Sequence, residues 1–543
     1  MLLTIKKLKK YPFDMKKILY FAIIISAGLI TACKKEKKPV VVQTTTTTTL
    51  TGPSKTGTTL QLIQDSVYLY AKEDYLWFTS LPDYATFQPR SFTNADDLTA
   101  LTNELDKLSQ YAINPATNLP YEYYRDAPGQ AKYSFIDDGT VSAELNGVKG
   151  DFGFDVQYNL VNDLRIEYVY PGSPAGLAGL TRGCEITSIN GSTSISYDAP
   201  PFGTGTSTNL NFVSNAIYDS GTITMVVQTL SGATKTVSLN TASYNVNPVL
   251  KDTILTETNG NKLGYIVFNS FVSDQVADPL LDPAFANFAS AGVTDLVVDL
   301  RYNGGGYVST AEHIDNLIVP AAKTGSLMYN TYYNSNLVSN LDPLLGNQWR
   351  SGSPDYNYGQ FDYTVAGNAV NFAKQGSLNI NRVFFIVTGQ TASASELTMN
   401  NLRPEMDVQF VGDTTYGKPV GFFDIDINKY EMFTPEFSVQ NSANQGGYYA
   451  GFAPGGTGYP GFHDFDDLTK DFGDPTEGLL ADVLGYANTG TYSVAKHVVQ
   501  SLAPRAKAFL LSGSRKNNVL KNKHKFTGMV YDKKLRLKRL KKN

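Results

Sequence analysis

Cysteine is almost absent from this chain, with only Cys33 and Cys184 in 543 residues. Two thiols cannot build a disulfide framework, and with only four histidines there is no zinc-ligand pattern at motif spacing. Charge is also sparse, at 18% of residues. The apolar run from Ile18 to Ile30 is about 13 residues, short of the ~20 that a membrane-crossing helix needs. What the chain does have is apolar residue in ordinary measure, 42%, enough for packed cores in two to four domains. Its chemistry is therefore expected from hydroxyls, amines, carboxylates and backbone groups, with no cofactor and no metal.

Lys16 and Lys17 precede the apolar run, and the small residues Thr31 and Ala32 lead from it to Cys33, the pattern of an export signal. Ile30-Thr-Ala-Cys33 resembles a bacterial lipobox. That resemblance implies a signal peptide over residues 1–33, lipidation of Cys33, and a membrane-anchored lipoprotein of the bacterial cell envelope, facing the periplasm or the exterior. Residues 34–58, with the tract Thr44 to Thr49, are too polar to bury apolar surface and read as a flexible tether. Cys184 is then a lone thiol, expected to be a small, partly buried residue.

Charge is unevenly placed. Arg515 to Asn543 carries twelve basic residues against one acidic, the first 38 residues carry ten against two, and the body between carries 24 against 47. Such a tail can meet anionic lipid, meet nucleic acid or fold back on its own acidic domain. For an exported chain nucleic acid is not expected, and residues 501–543 are read as a solvated or self-docking basic tail.

Apolar periodicity predicts helices over Leu60 to Leu76 and Ala100 to Leu108, giving a small helical amino-terminal domain over residues 59–140 that contains Trp77. Residues 141–248 switch to short alternating strands, at Phe152 to Val156, Leu164 to Val169, Ile186 to Ile189 and Ile223 to Val227. Within them Val169-Tyr-Pro-Gly-Ser-Pro-Ala-Gly-Leu-Ala-Gly-Leu180, Gly183 and Ile189-Asn-Gly191 resemble a PDZ domain of the bacterial protease type. Such domains add an extended chain end as a strand. The resemblance implies a carboxylate-binding loop at Gly150–Phe154, with Phe152, Gly153 and Phe154 at the peptide site. A plain glycine bulge is the competing reading.

From residue 249 to 500 strands alternate with helices. Leu263 to Phe268, Asp295 to Leu300, Val383 to Val387 and Val408 to Val411 are near-continuous apolar strands of a buried sheet, while Ser309 to Ile318, Glu396 to Leu402 and Gly478 to Ala487 read as helices. Three segments fall at strand ends: the glycine turn Asp299-Leu-Arg-Tyr-Asn-Gly-Gly-Gly306, Ser393 in Thr391-Ala-Ser-Ala-Ser-Glu396, and Lys418 in Gly412-Asp-Thr-Thr-Tyr-Gly-Lys418. Together they offer a hydroxyl nucleophile, an amine to take its proton, and backbone N–H groups for an oxyanion.

These three motifs, in this order behind a PDZ-like module, resemble the C-terminal processing peptidases, or tail-specific proteases, over roughly residues 60 to 490. The resemblance implies an α/β, multidomain fold. Its parts would be a crotonase-like (stacked ββα) peptidase core, an inserted PDZ-like β domain and the small helical amino-terminal domain. It also implies a serine endopeptidase that cleaves protein C-terminal tails or unstructured polypeptides. Ser393 would be the nucleophile, Lys418 the general base, and the amides of Ala394 and of Gly304, Gly305 or Gly306 the oxyanion hole. One departure is plain: where many relatives have a glutamine four residues after the lysine, this chain has Phe422. A catalytically lapsed peptide-binding lipoprotein on the same scaffold is therefore the alternative.

Blander readings compete. Ser393 followed by Glu396 fits a helix capping box, so Glu396 is expected to support the turn. Ser395 is a rival nucleophile. Gly412 to Lys418 approaches a phosphate-binding loop, but Pro419 stands where that loop needs a hydroxyl. Asp464 to Asp474 lacks the spacing of a calcium loop and reads as surface turns.

Overall fold

The computed structural model of the chain describes residues 52–200, 206–348, 357–380, 382–492 and 526–531. The expected signal peptide, Cys33 and nearly all of the tether and basic tail lie outside these residues. Among the described residues no helix is long and apolar enough to cross a membrane.

Helix α1 (Thr59–Asp74) is opened by a reciprocal capping box between Thr58 and Gln61, and α2 (Asp97–Ser109) by the Asp96 side chain. Both lie where apolar periodicity predicts them. Their buried residues, among them Val67, Leu101 and Leu105, belong to the same apolar core as the sheet residues Leu263 and Phe268. The strand Phe135–Asp137 also pairs with Tyr430–Phe433, so the amino-terminal segment is sewn into the α/β region.

Strands β1 (Phe154–Leu160), β2 (Asp163–Val169), β3 (Glu185–Ile189), β4 (Thr222–Gln228) and β5 (Thr234–Asn240) form one antiparallel sheet in that order, with helix α3 (Thr208–Tyr218) alongside. Alternating burial along β4 matches its alternating sequence. This domain closes its own core around Val156, Ile166, Ile189 and Met225, and Cys184 is buried in it.

The third part is a six-stranded sheet ordered β6 (Val249–Thr256), β7 (Lys262–Phe268), β8 (Asp295–Asp299), β10 (Arg382–Val387), β11 (Asp407–Gly412) and β12 (Gly461–His463); the short strand β9 (Gly305–Tyr307) lies outside it. Only the β6 and β7 pair is antiparallel. The inner strands are buried on both faces, which explains their unbroken apolar sequence. Helices α4 (Asp274–Ala291) and α7 (Gly478–Thr489) pack against this layer, while α5 (Val308–Ile318) packs against α4 and α6 (Ala394–Leu402). Sequence periodicity passed over α4 because it contains Pro279 and Pro283; tertiary packing of Leu281, Phe285 and Phe288 overrides the local cost.

Position follows from topology. Strands β8, β10 and β11 are parallel neighbours, so their carboxyl ends share one edge. The glycine turn follows β8, Ser393 follows β10 and the lysine loop follows β11.

Candidate active site

Ser393 caps α6 with φ 57° and ψ −105°. A non-glycine residue in this region stores on the order of 1–3 kcal/mol of backbone strain, and the reason it persists is visible in its surroundings. Its N–H donates to Glu396 Oε2 at 2.9 Å, and the next turn of α6 is held by Leu397 N–H to Ser393 O at 2.7 Å. The Ser393 hydroxyl oxygen is fully buried and makes no hydrogen bond among the described residues. An unpaired buried hydroxyl costs about 1–3 kcal/mol, so this is a group held ready at the expense of stability.

Glu396 does more than cap. Its Oε2 also accepts the N–H of Lys418 at 2.8 Å, and its Oε1 accepts Gly417 N–H at 2.7 Å and the Thr415 hydroxyl at 2.5 Å. One carboxylate thus ties the serine turn to the lysine loop. Burial pushes the Glu396 carboxyl upward, and these hydrogen bonds pull it back. The capping pattern was legible in the sequence; its second grip, on residues 415 to 418, was not, because nothing local links them.

Lys418 has no solvent exposure. Complete burial drives its pKa well below the ordinary lysine value; the carboxylates of Glu122, Glu396 and Glu436 act against that shift, and the charge of Lys132 adds to it. Its Nζ lies 3.6 Å from the centroid of the Phe422 ring and donates to the carbonyl of Thr527. Lys132 is a second buried amine, lowered to about 8 chiefly by burial. It donates to Gly417 O at 3.2 Å and Tyr449 O at 3.3 Å. Sequence analysis passed over Lys132, an isolated lysine with no motif around it.

The glycine turn is fastened by Asn303. Its side-chain nitrogen donates to Phe268 O at 2.8 Å, and its Oδ1 accepts Gly305 N–H at 2.9 Å. Its backbone carbonyl accepts both Ala392 N–H and the Ser395 hydroxyl at 3.0 Å. The rival Ser395 is therefore a structural donor. The Gly305 amide, one of three candidate oxyanion donors, is engaged with Asn303, although Gly305 is the glycine whose added Cβ would stand 3.1 Å from the Ala394 amide. Glycine is required here: a Cβ on Gly306, at φ 139°, would stand 2.1 Å from Phe271 O.

Arg301, between the two ends of this motif, is structural as well. Its guanidinium forks onto Asp299 and Glu477 and reaches Asp466 at 2.6 Å; Arg182, from the β-rich domain, meets the same Asp466 oxygen at 2.6 Å. That buried network fastens the two domains together.

In the β-rich domain, a cavity of about 510 Å³ is lined by Gly150, Phe152 and Phe154, with Lys149 and the acids Glu144, Asp151 and Asp155. Gly153 has φ 83°, and its N–H donates to Asp151 Oδ1 at 2.7 Å. One of the amides expected at the peptide site, that of Gly153, is thus taken by its own loop.

Residues 262–440 match the model of peptidase family S41, a span that holds the glycine turn, Ser393 and Lys418. The chain is 25% identical, over 325 residues and 58% of its length, to the carboxy-terminal processing protease CtpA of Bacillus subtilis (strain 168). That match spans only 55% of the relative, about half its length. In three dimensions the chain resembles a putative S41 protease from Bacteroides fragilis NCTC 9343. The TM-score is 0.53 at 22% identity, with 78% of this chain and 97% of that one covered. The chain is thus similar to the C-terminal processing proteases, and residues 262–440 carry the likeness to peptidase family S41.

Proposed function

We propose that the protein is a serine endopeptidase working through a Ser393–Lys418 dyad. The observation that carries this is the pairing of a buried, unbonded serine hydroxyl at a strained helix start with a buried lysine whose amine is biased toward its neutral form, both backbones held by Glu396. A neutral amine can accept the serine proton, which a charged one cannot. Ser393 Oγ attacks a peptide carbonyl, Lys418 takes its proton and passes it to the leaving amine, and water then releases the acyl group. The amides of Ala394 and of Gly304 or Gly306 stabilise the oxyanion; a single such donor is worth ~3–4 kcal/mol.

The substrates are protein tails and unstructured polypeptide, with the β-rich domain acting as a PDZ-like peptide-binding module. The enzyme works at the cell envelope, anchored through lipid on Cys33. The test compares cleavage of an unfolded protein by the native chain, Ser393→Ala and Lys418→Ala. Each substitution is expected to lose about 10³-fold or more in kcat. Intact substrate with the native chain would favour the catalytically lapsed reading, and undiminished cleavage by both variants would move the chemistry elsewhere.

A further inference from the structure

The segment Phe526–Tyr531 lies inside the candidate cleft. Strand β13 (Gly528–Val530) pairs in parallel with β9, Gly305 opposite Gly528, Gly306 opposite Met529 and Tyr307 opposite Val530. On one side Gly528 N–H donates to Gly304 O at 3.0 Å. On the other, Phe422 N–H donates to Met529 O at 2.9 Å and Tyr531 N–H to Phe422 O at 3.0 Å. The segment is thus a strand laid between the oxyanion glycines and the stretch that follows Lys418. Met529 is fully buried and Val530 nearly so.

These contacts are made by backbone, so any extended polypeptide can make them; this is binding by strand addition. Two side-chain constraints add selectivity. A Cβ on Gly528 would stand 2.9 Å from the Phe422 ring and 2.4 Å from the segment's own Phe526 ring. A Cβ on Gly305 would stand 2.1 Å from the Gly528 carbonyl oxygen and 3.1 Å from the Ala394 amide. The track therefore takes a flat residue against Phe422, and it brings that residue's carbonyl beside the amide expected to stabilise an oxyanion. The Lys418 amine donates to Thr527 O, while the Ser393 hydroxyl is left without a partner. The amine of the base is thus engaged by the occupant and not by the nucleophile.

We propose that the cleft between β9 and Phe422 is a strand-binding track for extended polypeptide with glycine at the central position, and that the chain's own Phe526–Tyr531 segment is its resident ligand, which a substrate must displace. The inference rests on the peptidase reading for its catalytic consequence, but its occupancy can be tested without catalysis. Because the segment belongs to the same chain, a substrate competes with an intramolecular ligand, and weaker substrates are shut out.

The test uses full-length protein and a fluorescent synthetic peptide of residues 521–536. Binding is compared between Ser393→Ala and Ser393→Ala/Gly528→Val, where valine unseats the strand against Phe422. The expected result is at least ~10-fold tighter binding to the double variant, consistent with release of a tethered competitor. A peptide carrying valine at position 528 is expected to bind at least tenfold more weakly, on the order of a lost anchor. Met529→Asp, which places a charge at a buried position, is a second way to unseat the strand should Gly528→Val fold poorly. Equal affinity for seated and unseated proteins, or equal binding of both peptides, overturns the proposal. In a chain with Ser393 intact, Gly528→Val is expected to lower KM for an unfolded protein substrate. An unchanged KM with Ser393-dependent cleavage also overturns it. Absence of any Ser393-dependent cleavage counts against the peptidase reading alone, since peptide binding still decides the occupancy.

Discussion

The amine of Lys418 sits 3.6 Å from the centre of the Phe422 ring. A ring face attracts a cation by ~0.5–2 kcal/mol, so Phe422 acts on this lysine in two opposed ways: its bulk excludes water and favours the neutral amine, while its quadrupole favours the charged one. Burial wins, since the amine lies well below the ordinary lysine range.

Phe422→Leu keeps an apolar side chain and removes the ring face. The acid limb of the pH profile of kcat/KM is expected to move to lower pH by about 0.5–1 unit, from the conversion of ~1.4 kcal/mol per unit. A profile measured from pH 5 to 10 checks this; an upward move would mean that exclusion of water was the ring's larger effect.

Lys132→Met removes a positive charge that lowers Lys418. Below about pH 8, where Lys132 is charged, the acid limb is expected to shift upward. The same pH series on this variant reads the shift, and no movement would show that the two amines are electrostatically independent.

A lysine whose folded pKa lies below its unfolded one gives up its proton first in the folded state. Over the interval between the two values the unfolded chain binds more protons, so stability rises with pH there. Lys418→Met is accordingly expected to stabilise the protein at pH 7, a gain that shrinks as pH approaches the ordinary lysine value. Denaturant midpoints at pH 7 and pH 10 provide the comparison, and a variant less stable at pH 7 would contradict the neutral-amine account.

Glu396→Gln leaves one acceptor where two oxygens served four donors. An expected loss of about 10²-fold in kcat reflects displacement of the serine and lysine relative to each other. Stability should fall by ~1–3 kcal/mol for the donors left unpaired. Paired kinetics and unfolding curves test it: a fall in stability with kcat unchanged would make Glu396 a simple helix cap.

Burial would raise the Asp466 carboxyl, but Arg182 and Arg301 outweigh it and hold it at about 2. Its contribution to stability is present above the usual carboxylate range and lost as pH falls through about 2. Asp466→Asn leaves the buried Arg182 guanidinium without its carboxylate, while Arg301 keeps Asp299 and Glu477, with an expected cost of ~3–5 kcal/mol. Calorimetry at neutral pH measures it, and limited proteolysis should then cut more readily between the β-rich domain and the sheet.

Much of the layout was legible in the sequence because two periods carry it. The alternating strands near Ile223 and the unbroken apolar ones near Val297 stand close to where pattern placed them. What escaped was long-range or locally costly. Helix α4 hides behind two prolines, the second grip of Glu396 spans about twenty residues, and Asn303 works through its side chain on segments far along the chain. Phe526–Tyr531 was read only as part of a basic tail, and its partner strand β9 is two glycines and a tyrosine, a composition that carries little strand signal.

The turns after β8, β10 and β11 leave from a single rim, so the opposite rim carries none of the three segments of the candidate site. The connections at Gly292–Thr294 and Arg403–Met406, which enter β8 and β11, are where a reporter, a linker or a binding module can be spliced in while the reacting atoms stay undisturbed.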